Sequence, residues 1–157
     1  MVAITALDIP TILNVQQLQL QLNTALDRIY AAIGSIMEGA VPFGGSVATT
    51  NATATTIETI PIATNTTTLI TAFIVARRTG GTGGTTGDGA GYQLNGVVKN
   101  IAGTVTIIAQ SLVFTGEDQA GWTADLAVST TNILVRVTGA ADNNINWTVS
   151  GQTLAVA

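Results

Sequence analysis

The hydrophobic repeat of this chain changes near residue 40, and no feature limits its fold more. Before that point apolar residues recur every seven positions. Val15, Leu22, Ile29 and Ile36 form one line, and Leu18, Ala25 and Ala32 form a second. Leu26 and Ile33 widen the stripe, and Leu20 adds apolar surface away from it. A seven-residue repeat places these side chains on one face of a helix. Asp8 is positioned to cap the helix N-terminus, and Pro10 fits its first turn, where a missing N–H is harmless. Gly34 and Gly39 suit its end. The repeat lasts about three heptads, the lower limit for a coiled coil. Two readings of the stripe stay open. Either the helix lies on its own β domain, or it gathers copies of the chain, three in number, in a seam of Val15, Leu18, Leu22, Ala25, Ile29 and Ile36. The second is favoured, because a lone helix of this length is marginal in water and the strands that follow have a pattern of their own.

After residue 40 the period shortens to that of strands. "VPFGGSVATTNATATT" reads as a small-residue connector over 41–54. "TTIETIPIA" then alternates, and Pro61 assigns it to a sheet edge. "TLITAFIVARR" is a continuous apolar run, which suits a central strand. Further runs follow in "GYQLNGVVKNIAG", "GTVTIIAQSLVFTG", "ADLAVSTT", "NILVRVTGA" and "NINWTVSGQTLAV". Thr, Val and Ile dominate them, and branched side chains pack well on a pleated surface. "TGAADN" before "NNINWTV" reads as a hairpin with an Asn-rich turn. The expected organisation is a mainly β chain. Residues 1–40 form a coiled-coil-like oligomerisation helix, 41–54 a linker, and 55–157 an antiparallel β-sandwich or jelly-roll-like domain.

Composition narrows the function classes. Of 157 residues only 9% are charged, five basic against nine acidic, for a net charge of −4, while 46% are apolar. Nucleic acid binding needs clustered cations, so nucleic acid is not an expected partner. So few charges on so apolar a chain point to surface that is covered by sister copies or a larger particle. Neither Cys nor His occurs. Their absence removes thiol nucleophiles, thiolate and imidazole metal sites, and the commonest general base. No secretory signal is read at the N-terminus, and the apolar runs fall short of a membrane span. The sequons at Asn51, Asn65 and Asn146 are explained by the abundance of Thr and Asn.

The glycine-rich "RRTGGTGGTTGDGAG" invites a phosphate-binding reading. A P-loop requires a Lys and a following helix, and here a strand pattern follows without the Lys. Gly80, Gly81, Gly83, Gly84, Gly87, Gly89 and Gly91 instead permit an extended or tight path, with a long tip that can lie against a neighbouring subunit. Arg77 and Arg78 are adjacent on a strand and so face opposite ways. One is expected to pair with an acid such as Asp88 or Asp118, the other to face a neighbour. Glu117, Asp118 and Asp125 form the densest acidic group, read as a solvated turn with metal binding or acid–base work as the alternative. Trp122 and Trp147 are read as core or interface anchors. With no His or Cys, the expectation is no catalytic residues, no cofactor, no metal and no enzyme activity.

The run "FIVARRTGGTGGTTGDGAGYQLNGVVKNIAGTV" with "EDQAGWTADLAVSTTNILVRVTGAADNNINWTVS" resembles a β module of virion structural proteins in tailed bacteriophages. The paired arginines, the glycine loop, the Glu-Asp-Gln-Ala-Gly-Trp turn and the Asn-Asn-Ile-x-Trp ending carry the resemblance, over roughly residues 68–150. It implies an assembly role on the virion surface, often trimeric, with other virion proteins such as major capsid or tail proteins as partners. The preferred reading is a capsid decoration (cement) protein. The alternative is a short tail fibre or adhesin binding a host-surface glycan, and a jelly-roll hydrolase using Glu117, Asp118 or Asp125 stands third.

Overall fold

A computed structural model describes residues 9–36 and 39–157, with helix side chains described at 14, 15 and 17–28. The chain divides into two compact units, Met1–Glu38 and Gly39–Ala157. The first contains α1 (Ile9–Ile36), a helix of 28 residues. Asp8, the expected cap, lies outside the described residues, as do the side chains of Ile29 and Ile36. Val15, Leu18 and Leu22 are 57%, 67% and 58% exposed, and Ala25 is exposed beside them. The helix runs through Gly34, so that glycine does not end it.

The second unit is an antiparallel sandwich of eight strands. They are β1 (Ala40–Thr49), β2 (Thr55–Pro61), β3 (Thr66–Gly81), β4 (Gly89–Ile101), β5 (Thr104–Glu117), β6 (Thr123–Ser129), β7 (Asn132–Thr138) and β8 (Asn143–Val156). A five-stranded sheet runs β1-β8-β3-β4-β5, and a three-stranded sheet runs β2-β7-β6. The apolar run of β3 is central, between β8 and β4, and β2 with Pro61 is an edge, as the sequence indicates.

Three local expectations are corrected. The segment expected as a linker over 41–54 contains β1, paired with β8 from Ala40↔Leu154 to Thr49↔Ile145. Its Pro42 and glycines are tolerated because β1 is an edge strand. The Asn-rich turn before β8 does not close a hairpin. β7 pairs in the small sheet and β8 in the large one, so residues 139–142 carry the chain between sheets. In β2 a register shift between Thr56 and Glu58 interrupts the expected alternation. Ile57 and Ile60 consequently both face inward, at 7% and 6% exposure. A bulge redirects side chains in this way.

The core lies between the sheets. Ile70, Ile74, Leu94, Val98, Ile145 and Val149 come from the large sheet, and Leu126, Ile133, Val135 and Val137 from the small one. Burying each such side chain contributes about 1.5–3 kcal/mol before entropy is counted. Trp122 and Trp147 belong to this core, at 2% and 1% exposure, with ring centroids 5.8 Å apart. Tyr92 stacks on Trp147 at 6.4 Å. The interface role considered for both tryptophans is thus replaced by a core role, because the sheets close over them. Gln110 closes the β5–β6 side. Its amide accepts from the Leu126 N–H at 2.7 Å and donates to the Leu126 carbonyl at 3.2 Å. The side chain takes the place of a neighbouring strand and blunts the β6 edge.

Candidate functional site

Besides 50–54 between β1 and β2, three connections lie at one end of the sandwich and are tied to one another. They are 82–88 between β3 and β4, 118–122 between β5 and β6, and 139–142 between β7 and β8. β1 begins at the other end, where Ala40 pairs with Leu154, which in turn pairs with Leu69. The glycine-rich stretch builds much of the polar end. Most of it is used by the ends of β3 and β4, so the connection is shorter than the long tip expected from sequence. At Gly81 and Gly84 the backbone has φ of 94° and 68°, a region that side chains disfavour. An added Cβ would strike the Asp142 carbonyl at Gly81 and the Gln119 side chain at Gly84.

Arg78 organises this end from within. It points inward from β3 at 5% exposure, while Arg77 is exposed on the opposite face. The alternation of a strand divides the pair as expected, but the partners differ from those expected. Arg78 Nε donates to Asn143 Oδ1 at 3.1 Å, and an Nη donates to the Gly81 carbonyl at 2.7 Å. Its backbone N–H donates to the Asp88 carbonyl at 2.8 Å. A neutral amide and backbone oxygens, rather than a carboxylate, satisfy the buried guanidinium. Asn143, 2% exposed, also donates to the Ala141 carbonyl at 2.9 Å and so fixes the 139–142 connection.

The acids at this end are tied to the backbone. Asp88 accepts the Thr85 N–H at 2.7 Å and the amide of Gln119. These bonds hold its carboxyl below the usual carboxylate range, the Gln119 bond contributing most. Asp118 accepts the Gly89 N–H at 2.8 Å and its own N–H donates to the Gly89 carbonyl at 3.0 Å. Asp142 holds the glycine loop through its carbonyl, which accepts the Gly83 N–H at 2.9 Å. Glu117 accepts from the Tyr92 hydroxyl at 2.7 Å. Burial, reinforced by that carboxylate, pushes the phenol well above its ordinary pKa. Asp125, grouped with Glu117 and Asp118 by sequence, sits across from Arg136 on the small sheet and pairs with it. The three acids are thus given three separate structural partners.

The result is a preorganised polar surface of amide, carboxylate and hydroxyl groups on loops held by a rigid scaffold, the usual setting for binding residues. Sequence reading found Arg78, Asp88 and Asp118 there. It missed Gln119, Asn143 and Asp142. The Asn-Asn pair after a glycine-bearing turn was the available signal, since short amides stabilise turns by bonding nearby backbone. Among the described residues no helix is long and apolar enough to cross a membrane.

No protein-family model and no curated protein matches the chain. Solved structures with a related arrangement are tailspike proteins. That of Acinetobacter baumannii phage AM24 is 11% identical, with a TM-score of 0.45 over 74% of this chain and 26% of that one. That of Acinetobacter baumannii bacteriophage Fri1, a capsular polysaccharide depolymerase, is 11% identical, with a TM-score of 0.38 over 75% and 20%. The tailspike of Acinetobacter phage vB_ApiP_P1 is 12% identical, with a TM-score of 0.37 over 76% and 23%. The chain spans 20–26% of the length of these tailspikes. The expectation of no enzyme activity is corrected: one of these proteins is a depolymerase, and glycosidic bonds are cleaved by carboxyl pairs without His or Cys.

Proposed function

We propose that this chain is a tail-associated structural protein of a bacteriophage, of spike or fibre type, whose β unit presents a polysaccharide-binding end. The observation that carries the reading is the polarity of the sandwich. The chain enters at the end where β1 starts, and a built polar surface lies at the opposite end, where Asp88, Asp118, Gln119 and Asp142 sit over the buried Arg78 and Asn143. Such a layout suits a unit anchored at one end and recognising at the other. The resemblance of residues 68–150 to a phage virion module supports the same class. Neutral amides and paired carboxylates match the hydroxyl groups of a sugar chain, each offering a hydrogen-bond partner. Copies gathered through α1, three together, would multiply a weak contact at each end into an avid one.

The capsid-decoration reading is set aside in favour of its alternative, since the polar end has no task on a shell that buries neutral surface. Direct binding discriminates the two. The purified chain is incubated with host cells, with capsular polysaccharide extracted from them, and with expanded phage capsids lacking the protein. Retention on cells and polysaccharide, lost on replacing the exposed Asp118 and Asp142 with Lys, is the expected result. Binding to capsids alone would overturn the reading.

A further inference from the structure

β3 is apolar on both faces, and the sandwich covers only one of them. Ile70, Ala72 and Ile74 point into the core at 0%, 0% and 1% exposure. Leu69, Phe73 and Val75 point outward at 42%, 55% and 61%. The neighbours extend this outer surface. Leu154 on β8 and Val97 on β4 flank Leu69 in register. Phe114 on β5 lies in line with Phe73 through Gln93. Val156 and Phe114 are 67% and 60% exposed. Between the row of Thr67, Val156 and Lys99 and the row of Arg77, Asn146 and Gly89, no outward residue is charged. The remaining outward positions between these rows carry Ser, Thr, Asn, Gln, Pro, Ala and Gly.

A strand buried on one face alternates apolar with polar, whereas a strand buried on both faces reads as a continuous apolar run. The β3 sequence is of the second kind. Its environment in a single chain is of the first kind, so a cover is missing from the outer face. The size of the face indicates what fits. Ten residues along β3 span about 33 Å and five strands span about 24 Å. The uncharged area is therefore about 800 Å², matching the roughly 800 Å² that each partner contributes to a stable protein interface.

We propose that this outer face is the surface through which copies of this chain pack against one another. An uncharged face carrying Leu69, Phe73, Val75, Val97, Phe114 and Leu154 among small polar residues resembles the core of a homo-oligomer interface, which is depleted in charge. The rim carries Lys99 at one end and Arg77 at the other. These charges sit where solvent remains, and they oppose any register that slides them over the apolar rows. The inference rests on the sheet alone and is independent of polysaccharide binding.

The chain has no cysteine, so one introduced thiol reports one place. Ser150→Cys puts a thiol on the outer face beside Phe73, and Thr53→Cys puts one in an exposed turn as control. Alkylation of the full-length purified protein is timed while light scattering gives its mass. A multimeric mass with the Ser150→Cys thiol reacting about tenfold more slowly than the control is expected, since only open faces react. Adding Phe73→Lys and Val75→Lys should restore the control rate with the circular dichroism unchanged. These side chains are solvent-exposed in the single chain, so the fold tolerates them. Equal rates in the multimer would overturn the proposal. So would protection in a species of single-chain mass, which assigns the cover to the chain's own helix, or protection that requires added polysaccharide.

Discussion

Thr49→Val is the sharpest test of how β1 is joined to the sandwich. Thr49 ends β1 and is 4% exposed, and its hydroxyl accepts the indole N–H of Trp147 at 2.9 Å. Valine has nearly the same shape, so no cavity forms. The change leaves a buried N–H without an acceptor, at a cost of about 1–3 kcal/mol. For a unit the size of Gly39–Ala157, about 4 °C of melting temperature accompanies each kcal/mol, giving a fall of about 4–12 °C. Trp147→Phe removes the donor and also volume, so it destabilises by itself. A double-mutant cycle separates the two effects. With Phe at 147, Thr49→Val should be close to neutral, so the coupling equals the single-mutant cost of about 1–3 kcal/mol. Far-UV circular dichroism during urea unfolding is the readout, because the substitution changes the tryptophan signal. A coupling below about 0.3 kcal/mol would refute the bond. A single-mutant effect within about 0.5 kcal/mol would match an exposed linker and refute β1 itself.

Other consequences are equally measurable. Gly151→Ala would press its Cβ against the Thr71 carbonyl and the Phe43 ring, and backbone yields little, so a loss of about 1–3 kcal/mol is expected in the urea midpoint. Tyr92 has a raised pKa, so the stability it contributes is complete below the ordinary tyrosine value of about 10 and is lost as pH rises above it. In a Tyr30→Phe background the remaining phenol should ionise, by ultraviolet absorbance, only as the fold is lost in alkali; ionisation near pH 10 with the dichroism intact would refute its burial. Asp88 has a lowered pKa, so its contribution is present above the ordinary carboxylate range and lost as pH falls through the folded value. Asp88→Asn should therefore flatten the acid limb of the stability curve, and an unchanged slope would contradict the Gln119 bond.

What the sequence revealed and concealed follows from the range of each interaction. The centre of the large sheet was readable because β3 announces itself by an unbroken apolar run, and the β2 edge because Pro61 lacks a ladder donor. β1 was hidden because Pro42, Gly44 and Gly45 are poor strand formers. Its stability comes from partners far along the chain: β8 beside it, and Ile57, whose carbonyl a Cβ at Gly45 would strike. The Arg78 partner was sought among acids, Asp88 and Asp118, and found in an amide 65 residues away, Asn143. Local spacing identifies a charge that needs a partner, but register decides which one it receives. The crossing between sheets at 139–142 was misread for the same reason, since a turn's composition does not specify which sheet the next strand joins.

The distribution of charge, rather than its scarcity, gives the neutral face its meaning. Ten charged residues lie in the β unit. Arg77, Arg78, Asp88, Glu117, Asp118 and Asp142 gather at or near the polar end, and Asp125 and Arg136 pair on the small sheet. Glu58 sits on the β2 edge and Lys99 marks the far rim of the large sheet. Dilution alone would scatter so few charges over every surface, including the broad outer face of five strands. Their exclusion from its middle rows leaves aliphatic and aromatic side chains in water, which a lone domain avoids on a surface of this area. The same sequence spends its carboxylates and amides on fixing three loops at one end. A chain that is neutral on one broad face and polar at one end suits two contacts at once. On the proposed reading the face packs against like chains, while at the end Asp88, Asp118 and Gln119 lie over the buried Arg78 and Asn143.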